Sequence, residues 1–147
     1  MDSQIFTTKN STETRDLGKK IAAFLEGGEV LCLYGNLGAG KTTFTQGLAA
    51  GLGIKHNITS PTFILMRSHL LQNEKTFYHL DCYRLEKTQD AVSLGLNELF
   101  SDSNNIICIE WAERIKALLP QKRTDIYFKN IGEDKRVIKI KPCHCEE

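Results

Sequence analysis

The run Gly35-Asn36-Leu37-Gly38-Ala39-Gly40-Lys41-Thr42 has residue types and spacing suited to gripping a polyphosphate. It fits the pattern G-x-x-x-x-G-K-[ST] at every fixed position. Glycines let backbone N–H groups turn toward phosphate oxygens where a Cβ would obstruct the approach. Gly35, Gly38, Ala39 and Gly40 therefore supply the cradle. Lys41 is expected to reach the β- and γ-phosphates, and Thr42 to place its hydroxyl on Mg²⁺. Thr43 either bonds an α-phosphate oxygen or simply sits in the first turn of the following helix.

A loop of this kind needs a carboxylate on a neighbouring strand to hold Mg²⁺ or its waters. Glu110 ends the apolar run "IICIE", and ligands of open α/β sheets gather at the C-terminal tips of such strands. It is assigned to the metal. Asp81 ends "TFYHLD" in the same way and is assigned a catalytic or water-positioning role beside Lys41. The competing reading for both is an exposed strand-end charge. His79 is read as a structural strand histidine, with a base as the alternative. Trp111 either fills a core gap or covers the site and meets a partner.

Several signals are missing. There is no N-K-x-D and no D-x-x-G, the sequences that read guanine and sense its phosphates, so ATP is the expected nucleotide. Arg67, Arg84 and Arg114 do not cluster, and no arginine finger is evident. A small-molecule P-loop kinase, which usually adds a lid and an acceptor pocket, is the alternative function. A nucleotide-gated binding module is a third. The tail "PCHCEE" places Cys143, His144 and Cys145 together but lacks further ligands at workable spacing, so it is read as a frayed terminus.

The loop must be held between a strand and a helix, and both are legible. "EVLCLY" is apolar throughout, as strands buried on both faces are. A helix is expected from Lys41 to about Leu52, with Phe44, Leu48 and Leu52 inward and Gly53 as its stop. Before the loop, Gln4–Thr7 reads as a strand. The next segment, "NSTETRDLGKKIAAFLEGG", reads as a helix with Asn10, Ser11 and Thr12 at its cap, Glu13 three residues after Asn10, and Leu17, Ile21, Phe24 and Leu25 inward. After the loop come two strands joined at Gln72–Lys75. A helix "TQDAVSLGLNELF" follows, with Ala91, Leu94 and Leu99 inward. Then come the buried strand "NIICIEW", a short helix "AERIKALLP", and a closing hairpin of "TDIYFKN" and "DKRVIKIK". In the last strand Lys135, Lys139 and Lys141 share one face, which reads as a charged edge. The plan is α/β and P-loop NTPase-like: a mostly parallel central sheet flanked by helices, with antiparallel strands at the margin.

The chain of 147 residues is long enough for one domain, residues 1–147, with a core that needs no staples. Nineteen basic residues against eighteen acidic ones leave +1, too little for a salt-driven grip on DNA or RNA. No apolar run approaches the ~18 residues of a membrane span. The first residues lack the basic start and apolar middle of a signal peptide. Five cysteines, an odd number and partly inside apolar runs, fit reduced thiols in a cytoplasm.

Four motifs in order, "GNLGAGKTT", "SPTF" at Ser60–Phe63, "HLDCYRL" at His79–Leu85 and "IEW" at Ile109–Trp111, resemble the TsaE (YjeE) family over most of the chain. The resemblance implies a bacterial cytoplasmic ATPase of tRNA threonylcarbamoyladenosine synthesis. It implies work with the TsaB–TsaD pair, in which TsaD is the transferase, and contact with tRNA only indirectly. Carried over, Lys41, Thr42 and Thr43 bind nucleotide, Thr42 and Glu110 hold Mg²⁺, and Asp81 matters for hydrolysis. Ser11 falls where the family meets the adenosine end. Ser60, Pro61 and Thr62 fall in a segment that senses nucleotide state.

Overall fold

A computed structural model describes residues 3–55 and 66–143. The Ser60, Pro61 and Thr62 segment lies outside the described residues, as do His144 and Cys145. The strands are β1 (Gln4–Thr8), β2 (Val30–Tyr34), β3 (Met66–Leu70), β4 (Thr76–Asp81), β5 (Asn105–Glu110), β6 (Arg123–Gly132) and β7 (Lys135–Cys143). They form one sheet in the order β1-β7-β6-β2-β5-β4-β3. The middle strands β6, β2, β5 and β4 run parallel, whereas β7, β1 and β3 join antiparallel. The centre is thus parallel and the margins antiparallel, as expected; among the described residues three of the six pairings are of each kind. β2 and β5, the latter apolar from Ile106 to Ile109, lie side by side at the centre, where both faces are covered.

Helices α1 (Ser11–Ala22) and α2 (Lys41–Gly51) cover one face. There Leu17, Phe44 and Leu48 pack on Leu31, Leu33, Phe77, Ile106, Cys108, Ile126 and Ile138. The opposite face carries Val30, Cys32, Leu80, Ile107 and Ile109 under Ala91, Leu96, Ala112 and Ile115. The period of two along each strand divides these residues between the two cores.

The start of α1 follows from its sequence. The Asn10 side chain accepts from the Glu13 N–H at 2.8 Å, and the Glu13 carboxylate accepts from the Lys9 N–H at 2.8 Å. Its end differs from expectation. The helix stops at Ala22, and Phe24 N–H and Leu25 N–H bond back three residues to Ile21 and Ala22. That tighter turn advances each side chain further round the axis than an α-turn does. Phe24 is thereby turned outward and is 78% exposed, not inward.

Three other expectations are corrected. The helix foreseen over "TQDAVSLGLNELF" is two pieces, a 3-10 helix at Thr88–Leu94 and the short α3 (Leu96–Ser101), broken where Gly95 takes φ 70°. The "AERIKALLP" helix is a kinked 3-10 segment, Ala112–Leu118, with Ile115 outside helical geometry. β7 is not an edge: β1 pairs along its outer side from Gln4–Ile140 to Thr8–Arg136, so its lysines decorate an interior strand.

Cys32, Cys82 and Cys108 are buried free thiols that pack as small hydrophobes. Burial pushes Cys32 and Cys82 up to about 12, and Cys108 upward as well. They therefore stay protonated in the folded protein near neutrality. Cys143 is half-buried and donates to Asp125 Oδ2 at 3.3 Å.

The close approach of α1 to α2 positions the loop, and it depends on Gly47. A Cβ built at Gly47 would lie 1.9 Å from the Arg15 carbonyl oxygen, and one at Gly18 2.3 Å from that of Phe44. Backbone has no rotamer with which to yield, so Gly47→Ala must part the helices. It is expected to destabilise the protein by at least ~1–3 kcal/mol, the usual range for overpacking. A thermal melt checks this; Tm should fall by about 2–4 °C for each kcal/mol in a chain of this size. An unchanged Tm would mean that the helices are not in backbone contact.

Candidate functional site: a glycine loop facing two strand-end carboxylates

β2 ends at Tyr34 and runs directly into the glycine loop, which α2 then leaves. Gly40 caps α2 with φ 105°, a conformation costly to any residue with a Cβ. No side chain caps this helix start. Its first-turn amides and positive dipole end therefore face the loop's mouth, an arrangement suited to an anion. Ala39 is buried beneath the loop, and Leu37 stands 72% exposed on top.

Lys41 is only 5% exposed. Its ammonium donates to the Gly35 carbonyl oxygen and, at 3.4 Å, to that of Asn36. It also sits 3.7 Å from the centre of the Trp111 ring. Burial pulls the Lys41 ammonium below the usual lysine range, and the carboxylates of Glu110, Glu113 and Asp81 push partly back. The site thus holds a cation with substitute partners where phosphate would be a stronger one.

The sheet brings the carboxylates to that cation. β4 and β5 run parallel in a register that sets Asp81 beside Glu110 and His79 beside Cys108. The period of two then puts His79, Asp81, Cys108 and Glu110 on the α2 face. Glu110 is 2% exposed. Its Oε1 accepts from the Thr42 hydroxyl at 3.0 Å, and its Oε2 accepts from His79 Nε2 at 2.7 Å. A buried carboxylate is stabilised by such charge-assisted bonds. Asp81 Oδ1 accepts from the Tyr83 N–H at 3.0 Å, which fixes the carboxylate at the strand tip.

Trp111 follows Glu110 with φ 58°, an outlier for a bulky residue. The left-handed turn ends β5 and puts the ring against Lys41, with Tyr83 packed on it at 5.0 Å between centroids. The ring lies against Lys41 and also packs on the core of the second face. Held strain of this kind concentrates at functional sites.

Ser11 and Thr43 lie on another side of the loop. With Thr14, Gly40, Asp134 and Arg136 they line a small open cleft whose lining does not include Thr42 or Glu110. Arg136 donates to the Gly38 carbonyl at 3.0 Å from 98 positions away. Nothing in the sequence pairs Arg136 with the loop; only the β6–β7 hairpin, which turns at Glu133-Asp134, carries it there.

The donors that face one another at Thr42 and Glu110 are oxygens, the set a hard cation such as Mg²⁺ takes. Among the described residues no cluster of three or more His, Cys, Asp or Glu side chains could hold a metal ion alone. A cation here would therefore complete its shell with phosphate oxygens and water, the usual manner of Mg²⁺. Among the described residues no helix is long and apolar enough to cross a membrane.

The family model for "Threonylcarbamoyl adenosine biosynthesis protein TsaE" matches residues 8–138. The tRNA threonylcarbamoyladenosine biosynthesis protein TsaE of Bacillus subtilis is 44% identical over 131 residues, 89% of this chain and 80% of that protein. Its namesake from Treponema pallidum is 36% identical over 90% of this chain and 96% of its own length. The crystal structure of Bacillus YdiB superposes with a TM-score of 0.78 at 37% identity, covering 97% of this chain and 87% of that one. With the glycine loop, the H-x-D strand tip and the E-W strand end all inside the matched span, the chain belongs to the TsaE family of tRNA threonylcarbamoyladenosine biosynthesis proteins.

Proposed function

We propose that this chain is a Mg²⁺-dependent ATP-binding protein and slow ATPase with a P-loop NTPase-like fold. In this reading it supports a TsaB–TsaD complex in the cytoplasm and does not itself transfer the threonylcarbamoyl group. One observation carries the reading: the Thr42 hydroxyl and the buried Glu110 carboxylate meet at 3.0 Å beside a lysine held at the mouth of a glycine loop. The cradle amides and the start of α2 take the phosphates, and Lys41 exchanges the Gly35 carbonyl for the β- and γ-phosphate oxygens. Thr42 and Glu110 hold the cation, which supplies charge neutralisation at the transferring phosphate. Asp81, next to Glu110 in register, orients the attacking water. Ser11 and Thr43 line the cleft for the nucleoside end. Trp111 closes over Lys41 and excludes water.

Glu110→Gln tests this directly. The amide keeps the shape but loses the charge that the cation needs. The Mg²⁺ concentration that half-saturates ATP binding should rise at least ~10-fold. Tm should hold, because a buried charge is exchanged for a neutral group. Coincident Mg²⁺ titrations of variant and wild type would move the metal role to Asp81.

A further inference from the structure

His79 is fully buried in the middle of β4, yet it is only partly satisfied. Its Nε2 lies 2.7 Å from Glu110 Oε2, while its Nδ1 has no hydrogen-bond partner. An ionised carboxylate only accepts, so the proton must sit on Nε2. Nδ1 is then left buried and unmet. A leucine or phenylalanine would suit this core better if packing were the only demand, since buried polar atoms without partners cost free energy. The cost is concentrated on one contact, and that contact has a geometric consequence. Glu110 has two oxygens: His79 occupies Oε2 and leaves Oε1 turned to the Thr42 hydroxyl. Without the imidazole the carboxylate could rotate about its last torsion, which is broad for a glutamate.

We infer that His79 is a positioning residue that locks the Glu110 carboxylate so that Oε1 is presented, together with Thr42, to a divalent cation. This rests on the metal role proposed for Glu110 and adds a second layer to it. His79 touches neither cation nor nucleotide. Its effect passes through a single hydrogen bond, as with other residues that orient metal ligands.

The test compares His79→Leu and His79→Gln with wild type by calorimetric titration of ATP at graded Mg²⁺ and without metal. His79→Leu removes the donor. It is expected to raise the half-saturating Mg²⁺ by ~10–100-fold, to leave metal-free ATP affinity unchanged, and to lower Tm, because a buried carboxylate oxygen loses its donor. His79→Gln places an amide donor near the same point and should recover most of the loss. Equal Mg²⁺ dependence in His79→Leu and wild type overturns the assignment. So does a fall in metal-free ATP affinity as large as the change in Mg²⁺ dependence, the mark of a purely structural role. Wild type with no Mg²⁺ dependence at all would instead remove the metal reading of Glu110, and this inference with it. Nitrogen-15 spectra of the wild-type imidazole need no variant. They should show a bonded proton on Nε2, with that signal moving on addition of Mg²⁺ to the ATP complex. A signal that stays put would also overturn the proposal.

Discussion

Lys41→Ala should reduce ATP affinity by at least ~10- to 150-fold, the equivalent of the roughly 1.5–3 kcal/mol of one charge-assisted bond. The true loss is expected at the upper end, since the ammonium is buried and faces the most charged part of the ligand. The same residue should cost the unliganded protein stability. Its folded pKa lies below the unfolded 10.5, chiefly through burial. Between the two values the unfolded chain binds more protons than the folded one, so stability rises with pH across that window. Lys41→Met keeps the aliphatic stem and removes the charge. Its Tm without nucleotide should equal or exceed that of wild type at neutral pH, and the difference should shrink as pH climbs toward 10.5. Calorimetry and melts read both effects. Unchanged ATP affinity in Lys41→Ala would sink the phosphate-gripping role of the loop.

The isolated chain should hydrolyse ATP slowly, and its partners should set the rate. The gripping parts are all present: loop, Lys41, Thr42, Glu110 and Asp81. A part that would speed hydrolysis is not evident among the described residues. An arginine finger is worth ~10³–10⁵ in rate in related enzymes. Arg136 reaches the loop but is engaged by the carbonyls of Gly38, Glu133 and Lys135 and by Asn130, and it lines the cleft away from Glu110. Arg114 is 5.9 Å from the Trp111 ring and donates to the Leu85 carbonyl. Arg123 is paired with Asp125. The partners of these three arginines do not include Glu110. A partner supplying a cation there would accelerate hydrolysis toward that range. The measurements are the ATPase rate with and without TsaB–TsaD, and the affinity for that pair with an ATP analogue, with ADP and with neither. Fast hydrolysis by the chain alone, with equal affinities in all three states, would leave a stand-alone enzyme. In the partner-coupled case nucleotide shifts docking only by its difference in affinity between free and docked forms.

The sequence by itself determined whatever rests on local spacing. The loop, the apolar strand before it, the amphipathic helix after it and the Asn10–Glu13 cap are legible because each depends on residues within a few positions of one another. Acids at the tips of apolar strands marked Glu110 and Asp81 for the same reason. Tertiary structure alone decided what depends on register and strand order. That β1 pairs beyond β7 turns a presumed edge into an interior strand. That β4 lies beside β5 lets His79 fasten Glu110 from 31 positions away, and the β6–β7 hairpin delivers Arg136 to Gly38. The short helices over the second face also escaped the periodic reading. Gly95 and the kink at Ile115 interrupt an otherwise helical pattern, and packing on the sheet overrides what remains of the local preference. Glycine 47 is the clearest case of this division. In the sequence it is only a weak point in a helix; in the fold it is where two backbones meet.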